Sequence, residues 1–267
     1  MIEAIILKLD LHCHTKEGSL DSKVPVSEFA DKFKRLGFDG FMISDHNSYR
    51  GCKAWDRIKD DPKYKDLTVI RGIEYDTKDA GHVLVIMPDD LYLPILRIRG
   101  MRCRKLARLV HAYGGILGPA HPYGVSTSSA MGFKNMDVSL FKDFDFVETF
   151  NTCEFPRSNR LARELAEKYD LVTFAGSDAH VQEYIGMACT TIDADIRCND
   201  DLIYAVRSGA TIHAGGRERG ITKKAMRKEH WTGQLGYRIY NRGIAKLFCP
   251  YRKYQHHKIR DFIHSHI

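Results

Sequence analysis

The stretch Leu9-Asp10-Leu11-His12-Cys13-His14 closes an apolar run (Ile5, Ile6, Leu7, Leu9, Leu11) with two histidines at i and i+2. In a strand, side chains two apart leave from the same side. His12 and His14 are therefore expected to project together from the carboxyl end of a buried strand, the place where α/β folds put their chemistry. Two imidazoles can hold a metal ion but cannot complete its coordination. The rest of the chain must bring further donors to the same place.

Its patterning supplies the means. Val26, Phe29, Ala30, Phe33 and Leu36 follow helical spacing between Pro25 and Gly37. Phe41–Ile43 reads as a short buried strand ending in Ser44-Asp45-His46, and Leu67–Ile73 as another that delivers Glu74. Gly81-His82 introduces the apolar run Val83–Met87. A helix marked by Leu106, Leu109, Val110 and Tyr113 is followed by Ile116-Leu117 and then His121-Pro122. Phe144–Phe150 carries Glu148 and Asn151 at or past its end, and a stripe at Leu161, Ala162, Leu165, Ala166 and Tyr169 precedes Leu171–Ala175. Gly176-Ser177-Asp178-Ala179-His180 comes next, and the pair Gly186–Ile192 and Asp201–Ser208 closes at Gly209. Repeated strand–helix units imply a parallel barrel or a doubly wound sheet. Ligand candidates at successive strand ends favour the barrel, since a closed sheet gathers those ends around one pocket.

The candidate metal ligands are His12, His14, Asp21, His46, Glu74, His82, His121, Asp178 and His180. Singly, each is compatible with an ordinary turn or a hydrogen-bonded core residue. Together, at the ends of successive apolar runs, they predict a multinuclear centre. Imidazole mixed with carboxylate suits Mn, Zn or Fe without choosing among them.

The ordered motifs Leu-His-Cys-His-Thr (11–15), Gly-Phe-Asp-Gly-Phe-Met-Ile-Ser-Asp-His (37–46), Gly-Ile-Glu (72–74), Gly-His-Val-Leu (81–84), Ala-His-Pro (120–122) and Gly-Ser-Asp-Ala-His (176–180) resemble those of the polymerase and histidinol phosphatase (PHP) family. The resemblance runs from about residue 6 to residue 214. It implies a distorted (β/α)7 barrel holding two or three divalent metal ions and hydrolysing a phosphoester with a metal-activated hydroxide. It further implies that His12, His14, Glu74 and Asp178 share one ion, with Glu74 bridging to a second. His46, His82, His121 and His180 would complete the other positions. Glu74, Asp178 and His180 are thereby the candidate catalytic residues. Members commonly carry Ser-Asp-Gly after the first motif; here the loop reads Lys16-Glu17-Gly18-Ser19-Leu20-Asp21-Ser22, so Asp21 is the expected ligand and Glu17 the alternative.

Lys16, Arg157 and Arg160 are candidates to pair with substrate phosphate, against the reading that the two arginines lie on a solvated helix face. Asn151 and Asn159 are expected to orient backbone rather than touch substrate. Cys13, between the first two histidines, is read as core. The seven cysteines are scattered without a Cys-x-x-Cys pair, which argues for a reducing compartment. With no signal-peptide pattern and no apolar stretch approaching ~18 residues, a cytoplasmic protein is expected.

Net charge is +7, but residues 217–267 hold 13 Lys/Arg against 3 Asp/Glu, leaving the body slightly acidic. This gives a PHP domain over residues 1–214 and a basic extension over 215–267. The extension interleaves its cations with Trp231, Tyr237, Tyr240, Phe248, Tyr251, Tyr254 and Phe262, and Ile244, Leu247, Phe248 and Tyr251 have helical spacing. It reads either as helices packed on a core or as a contact for nucleic acid or an anionic membrane surface. His256, His257, His264 and His266 have no ligand company. The substrate classes that follow are a small phosphorylated metabolite or nucleotide, or an oligonucleotide held by the extension. A non-catalytic binding domain is disfavoured by the near-complete ligand set.

Overall fold

Residues 6–124, 128–220 and 249–267 are described by a computed structural model. In chain order the strands are β1 (Ile6–Cys13), β2 (Gly40–Ile43), β3 (Thr68–Asp76), β4 (His82–Ile86), β5 (Ile116–Pro119), β6 (Phe146–Asn151), β7 (Val172–Gly176), β8 (Ala188–Asp193) and β9 (Ile212–Gly216). The helices are α1 (Val26–Arg35), α2 (Arg50–Trp55), α3 (Cys103–Ala112), α4 (Pro156–Tyr169), α5 (Asn199–Ser208) and α6 (Cys249–His266).

Seven strands form one sheet in the order β5-β4-β3-β2-β1-β8-β9, and β6 and β7 form a second. The second sheet links distant strands of the first. Asp145 N donates to Leu117 O beside β5, while Asp178 N donates to His12 O and His14 N to Ala179 O beside β1. The strands therefore curl around a common interior. Leu9, Leu11, Met42, Ile70, Leu84, Ile116, Phe146 and Phe174 form its apolar core together with Leu202 and Val206 of α5. Outside, α1 buries Val26, Phe29, Ala30 and Phe33, the spacing read from the sequence, and Phe33 stacks on Phe41 of β2 at 4.9 Å.

The sheet is mixed, which differs from a regular (β/α)7 repeat. Parallel pairing holds for β1–β2, β2–β3 and β6–β7, whereas β3–β4, β4–β5, β1–β8 and β8–β9 are antiparallel. The reason at β3–β4 is connection length. A parallel crossover needs about a dozen residues, and the chain instead turns at once, with Thr77 N and Oγ1 both donating to Gly81 O. The ninth strand, Ile-His-Ala-Gly-Gly, was not expected from its pattern; it pairs along β8.

The chain divides into two compact units, residues 1–218 and 219–267. The expected boundary at 214 falls within β9. In the second unit, α6 exposes Tyr251, Lys253, Tyr254, His256, His257, Lys258, Arg260, His264 and His266, and Ile259 and Ile263 are buried. Ile244, Leu247 and Phe248, which with Tyr251 carry the expectation of a packed extension, lie outside the described residues, as do Trp231, Tyr237 and Tyr240. Among the described residues no helix is long and apolar enough to cross a membrane.

Candidate metal centre

Strand direction explains why donors far apart in sequence meet. β1, β2 and β3 run parallel, so the ends carrying His12, His14, His46 and Glu74 coincide, and His46 bridges Glu74. The antiparallel turn puts the first residue of β4, His82, opposite Asp76 at that same end. His121 follows β5, and Asp178 and His180 follow β7. Local irregularities aim the side chains. The pairing register slips between Asp10 and Cys13 in β1 and between Glu148 and Phe150 in β6, and bulges of this kind re-aim side chains at functional sites. His121 and Asp178 adopt φ of +29° and +52°, conformations uncommon for residues with a side chain.

All nine predicted ligands converge. Glu74 Oε1 lies 2.8 Å from His82 Nδ1, 3.0 Å from His121 Nε2 and 3.5 Å from His12 Nε2. Its Oε2 lies 2.7 Å from His46 Nδ1 and 3.4 Å from His14 Nε2. Asp178 Oδ1 is 3.2 Å from His14 Nε2 and 3.6 Å from His180 Nδ1. Asp21 Oδ2 is 3.3 Å from both His46 Nε2 and His180 Nε2. Glu17, the alternative to Asp21, instead accepts from Val26 N at the start of α1. Burial falls from His12, His14 and Glu74 (at most 1% exposed) to His46 and His180 (28% and 27%) and Asp21 (57%), so the centre opens on the Asp21 side.

The proton arrangement decides what such a cluster can hold. Ser19 Oγ donates to Asp45 Oδ1 (3.0 Å) and must therefore accept from His14 Nδ1 (3.2 Å), which leaves His14 Nε2 with a bare lone pair. Burial, reinforced by His180 and His46 nearby, pushes His14 down to about 3, so it is neutral. His12 Nδ1 donates to Glu148 Oε1 (2.8 Å), turning its Nε2 to within 3.0 Å of His14 Nε2. Burial opposes charge on His12, yet Glu148, Asp178 and Glu74 raise it well above the usual range. Burial likewise opposes charge on Glu74, and His82, His46 and His12 overcome that and hold it well below the usual range. Its Oε2 and His121 Nδ1 are buried without a hydrogen bond, despite the close His46 nitrogen. A bare imidazole nitrogen on His14, facing a second imidazole and an ionised carboxylate, is a donor set that suits a divalent cation. Three overlapping groups can each hold an ion: His12–His14–Glu74, His46–Glu74–His82 and His14–His46–His180.

The other predicted site residues are peripheral. Lys16 is exposed in the turn after β1, and Arg157 and Arg160 are exposed in the first turns of α4, where Arg160 pairs with Glu164 at 3.7 Å. Asn159 brackets the backbone of Asn151, accepting from its N–H and donating to its carbonyl. Cys13 is fully buried, and burial with Asp10 beside it raises its thiol well above the usual range. Sequence reasoning did not assign roles to Glu148, Asp45 and Ser19. The available signal was a carboxylate inside an otherwise apolar strand, Phe-Val-Glu-Thr-Phe, which is 1% exposed in the structure and would be costly there without partners.

Fold and site thus define a curled-sheet α/β protein with a histidine–carboxylate cluster whose donors could hold metal. Residues 156–211, spanning α4 to the end of α5, match a family model described as PHP-associated. No curated protein matches the chain. Among solved structures it is similar to a two-domain protein from Bacteroides vulgatus containing a predicted PHP-like metal-dependent phosphoesterase. That likeness has 17% identity and a TM-score of 0.59 over 80% of this chain and 66% of that one. PsfC from Pseudomonas syringae is 16% identical, with a TM-score of 0.60 over 88% of this chain and 99% of that one. The lesion-specific endonuclease PfuEndoQ from Pyrococcus furiosus is 18% identical, with a TM-score of 0.60 over 82% and 61%. The chain spans just under two thirds of the Bacteroides protein and of the endonuclease. The chain thus shares its fold with a protein that contains a PHP-like domain, and its segment 156–211 matches the PHP-associated model.

Proposed function

We propose that this chain is a metal-dependent phosphoesterase acting on a small phosphorylated metabolite or nucleotide. The observation that carries the reading is the convergence of nine donor residues, six of which form three overlapping metal-holding groups that share His14, His46 and Glu74. His12, His14, Glu74 and Asp178 would hold one ion, with Glu74 shared with a second held by His82, His121 and His46. His180 and Asp21 complete the open side. Two or three ions of Mn, Zn or Fe are the expected complement. When bound, they supply the Lewis acidity that brings water near a pKa of ~7 and offset charge on a phosphoryl group.

The chain's own residues do the remainder. Cys13 keeps its proton, so the buried thiol beside the centre is not a nucleophile and water takes that role. Asp178 Oδ2 accepts from Asn151 Nδ2 (3.4 Å) while Oδ1 faces the histidines, which fixes the carboxylate at the edge of the centre. Lys16 and Arg157, both exposed, would recruit a phosphate from solvent on this reading. The test is a screen of Mn²⁺-loaded protein against phosphomonoesters and short oligonucleotides. Turnover of a monoester that disappears on chelation supports the reading. A fully loaded protein inert toward the whole panel would leave a non-catalytic binding domain instead.

A second reading, a nuclease, has its own support in the exposed cations and aromatics of α6 and in the likeness to a lesion-specific endonuclease. On this reading the extension holds a polymer by its phosphates, with the chemistry at the same centre.

A further inference from the structure

We infer that Glu148, which holds no ion itself, is a positioning residue that fixes ligands of two metal positions at once. The inference rests on the centre binding metal.

Both carboxylate oxygens are spoken for. Oε1 accepts from His12 Nδ1 at 2.8 Å, and Oε2 accepts from the backbone N–H of His121 at 2.6 Å and from Asn151 Nδ2 at 3.2 Å. Three donors on two oxygens leave Glu148 facing away from the ions in its hydrogen bonding. One contact sets the His12 tautomer, with the proton on Nδ1 and the lone pair on Nε2, the geometry by which carboxylates orient metal-bound histidines. The other holds the backbone of His121 in its positive-φ conformation, from which the ring reaches Glu74 Oε1 at 3.0 Å. His12 belongs to the first metal-holding group, and His121 joins the second through Glu74. A single buried side chain (1% exposed) thus couples two positions that no sequence neighbourhood connects. The surrounding chain makes room for it. Gly176 is the residue against which Glu148 and His12 lie, and a Cβ there would stand 2.6 Å from Glu148 Oε1 and 2.1 Å from His12 Cβ.

Glu148→Gln keeps the shape but offers one oxygen and one amide nitrogen to three donors. Turned one way, the amide confronts the His121 N–H. Turned the other, it confronts His12 Nδ1–H and drives that proton to Nε2, against the metal. The experiment is Mn²⁺ affinity of the full chain by competition with a chelator, together with ¹⁵N-histidine spectra of the Zn²⁺-loaded wild type. Glu148→Gln is expected to bind metal about 10–100-fold more weakly. Glu148→Asp, which keeps both oxygens, should recover part of that loss, and the wild-type spectrum should show His12 protonated at Nδ1. Wild-type affinity in Glu148→Gln would overturn the inference while leaving the metal centre standing. So would a His12 proton on Nε2, a result that needs no variant to fold. A wild-type chain that binds no metal would overturn the proposed function as well.

Discussion

Gly176→Ala is the substitution for which the structure makes the sharpest demand. A methyl group at Gly176 would lie 2.1 Å from His12 Cβ and 3.1 Å from His12 Cα. Carbon atoms settle at ~3.5–4.0 Å, so roughly 1.5 Å must be found. The obstructing atoms cannot swing away, because they are the root of a side chain and its backbone. The end of β7 would have to separate from β1. That junction is tied by Asp178 N to His12 O (2.8 Å), Ser177 N to Asp10 Oδ1 (2.9 Å) and His14 N to Ala179 O (3.2 Å). Losing two or three such bonds costs about 1 kcal/mol each, and forcing a methyl into a packed site adds about 1–3 kcal/mol. The expected destabilisation is therefore about 3–6 kcal/mol, dominated by separation of the two strands.

For a domain of this size, 1 kcal/mol moves Tm by about 2–4 °C, so Gly176→Ala should melt roughly 6–24 °C below wild type. Gly215→Ala is the internal control. It sits in β9 opposite Cys189 with nothing within 4 Å of its would-be Cβ, and it should be neutral or gain up to ~1 kcal/mol through the unfolded chain. Thermal unfolding of both variants, with metal removed and restored, is the assay. Because the methyl displaces His12, the first variant should also gain less Tm from metal than wild type does. A Gly176→Ala protein melting within about 2 °C of wild type would refute the claim that β7 and β1 are held at this separation.

Glu74→Gln should cut bound metal to less than half of wild type by elemental analysis and abolish chelator-sensitive phosphoester turnover, because Glu74 belongs to two of the three metal-holding groups; undiminished metal content would remove it from the ligand set. Ser19→Ala removes a hydroxyl that donates to Asp45 and accepts from His14 Nδ1 and His46 N. Leaving such buried groups unpaired costs about 2–5 kcal/mol in total, to be read by urea unfolding, and no change would deny Ser19 its place between Asp45 and His14. On the nuclease reading, Lys253→Glu, Lys258→Glu and Arg260→Glu together should weaken oligonucleotide binding and flatten its log–log salt dependence by ~0.7 for each phosphate no longer neutralised, with monoester turnover unchanged. Unaltered salt dependence would take α6 out of that reading.

The histidine motifs were legible because a buried strand end is a local event: apolar residues in sequence, then a donor. The sheet's mixed pairing was less so, although the few residues between Asp76 and His82 already exclude a parallel crossover. β9 could not be seen, since two of its residues are glycines and its conformation depends on pairing with β8. Glu148 and Asp45 were hidden for another reason. Their roles are defined by donors in other elements, and nothing in a single sequence marks a carboxylate as satisfied rather than exposed. The loop after β1 lies between these cases. Its sequence offers Glu17 and Asp21 to the same ligand position, and folding separates them: Glu17 accepts from the first N–H of α1, whereas Asp21 sits 3.3 Å from two imidazole nitrogens. A pair of variants tests that division. Glu17→Gln should lose part of a helix-capping contribution, about 0.5–1 kcal/mol by unfolding, and keep its metal. Asp21→Asn should unfold like wild type when metal-free and bind its most exposed ion more weakly in a chelator titration. If Glu17→Gln loses metal and Asp21→Asn retains it, the loop donates to the centre through the other carboxylate, and the open side of the site has been assigned to the wrong residue.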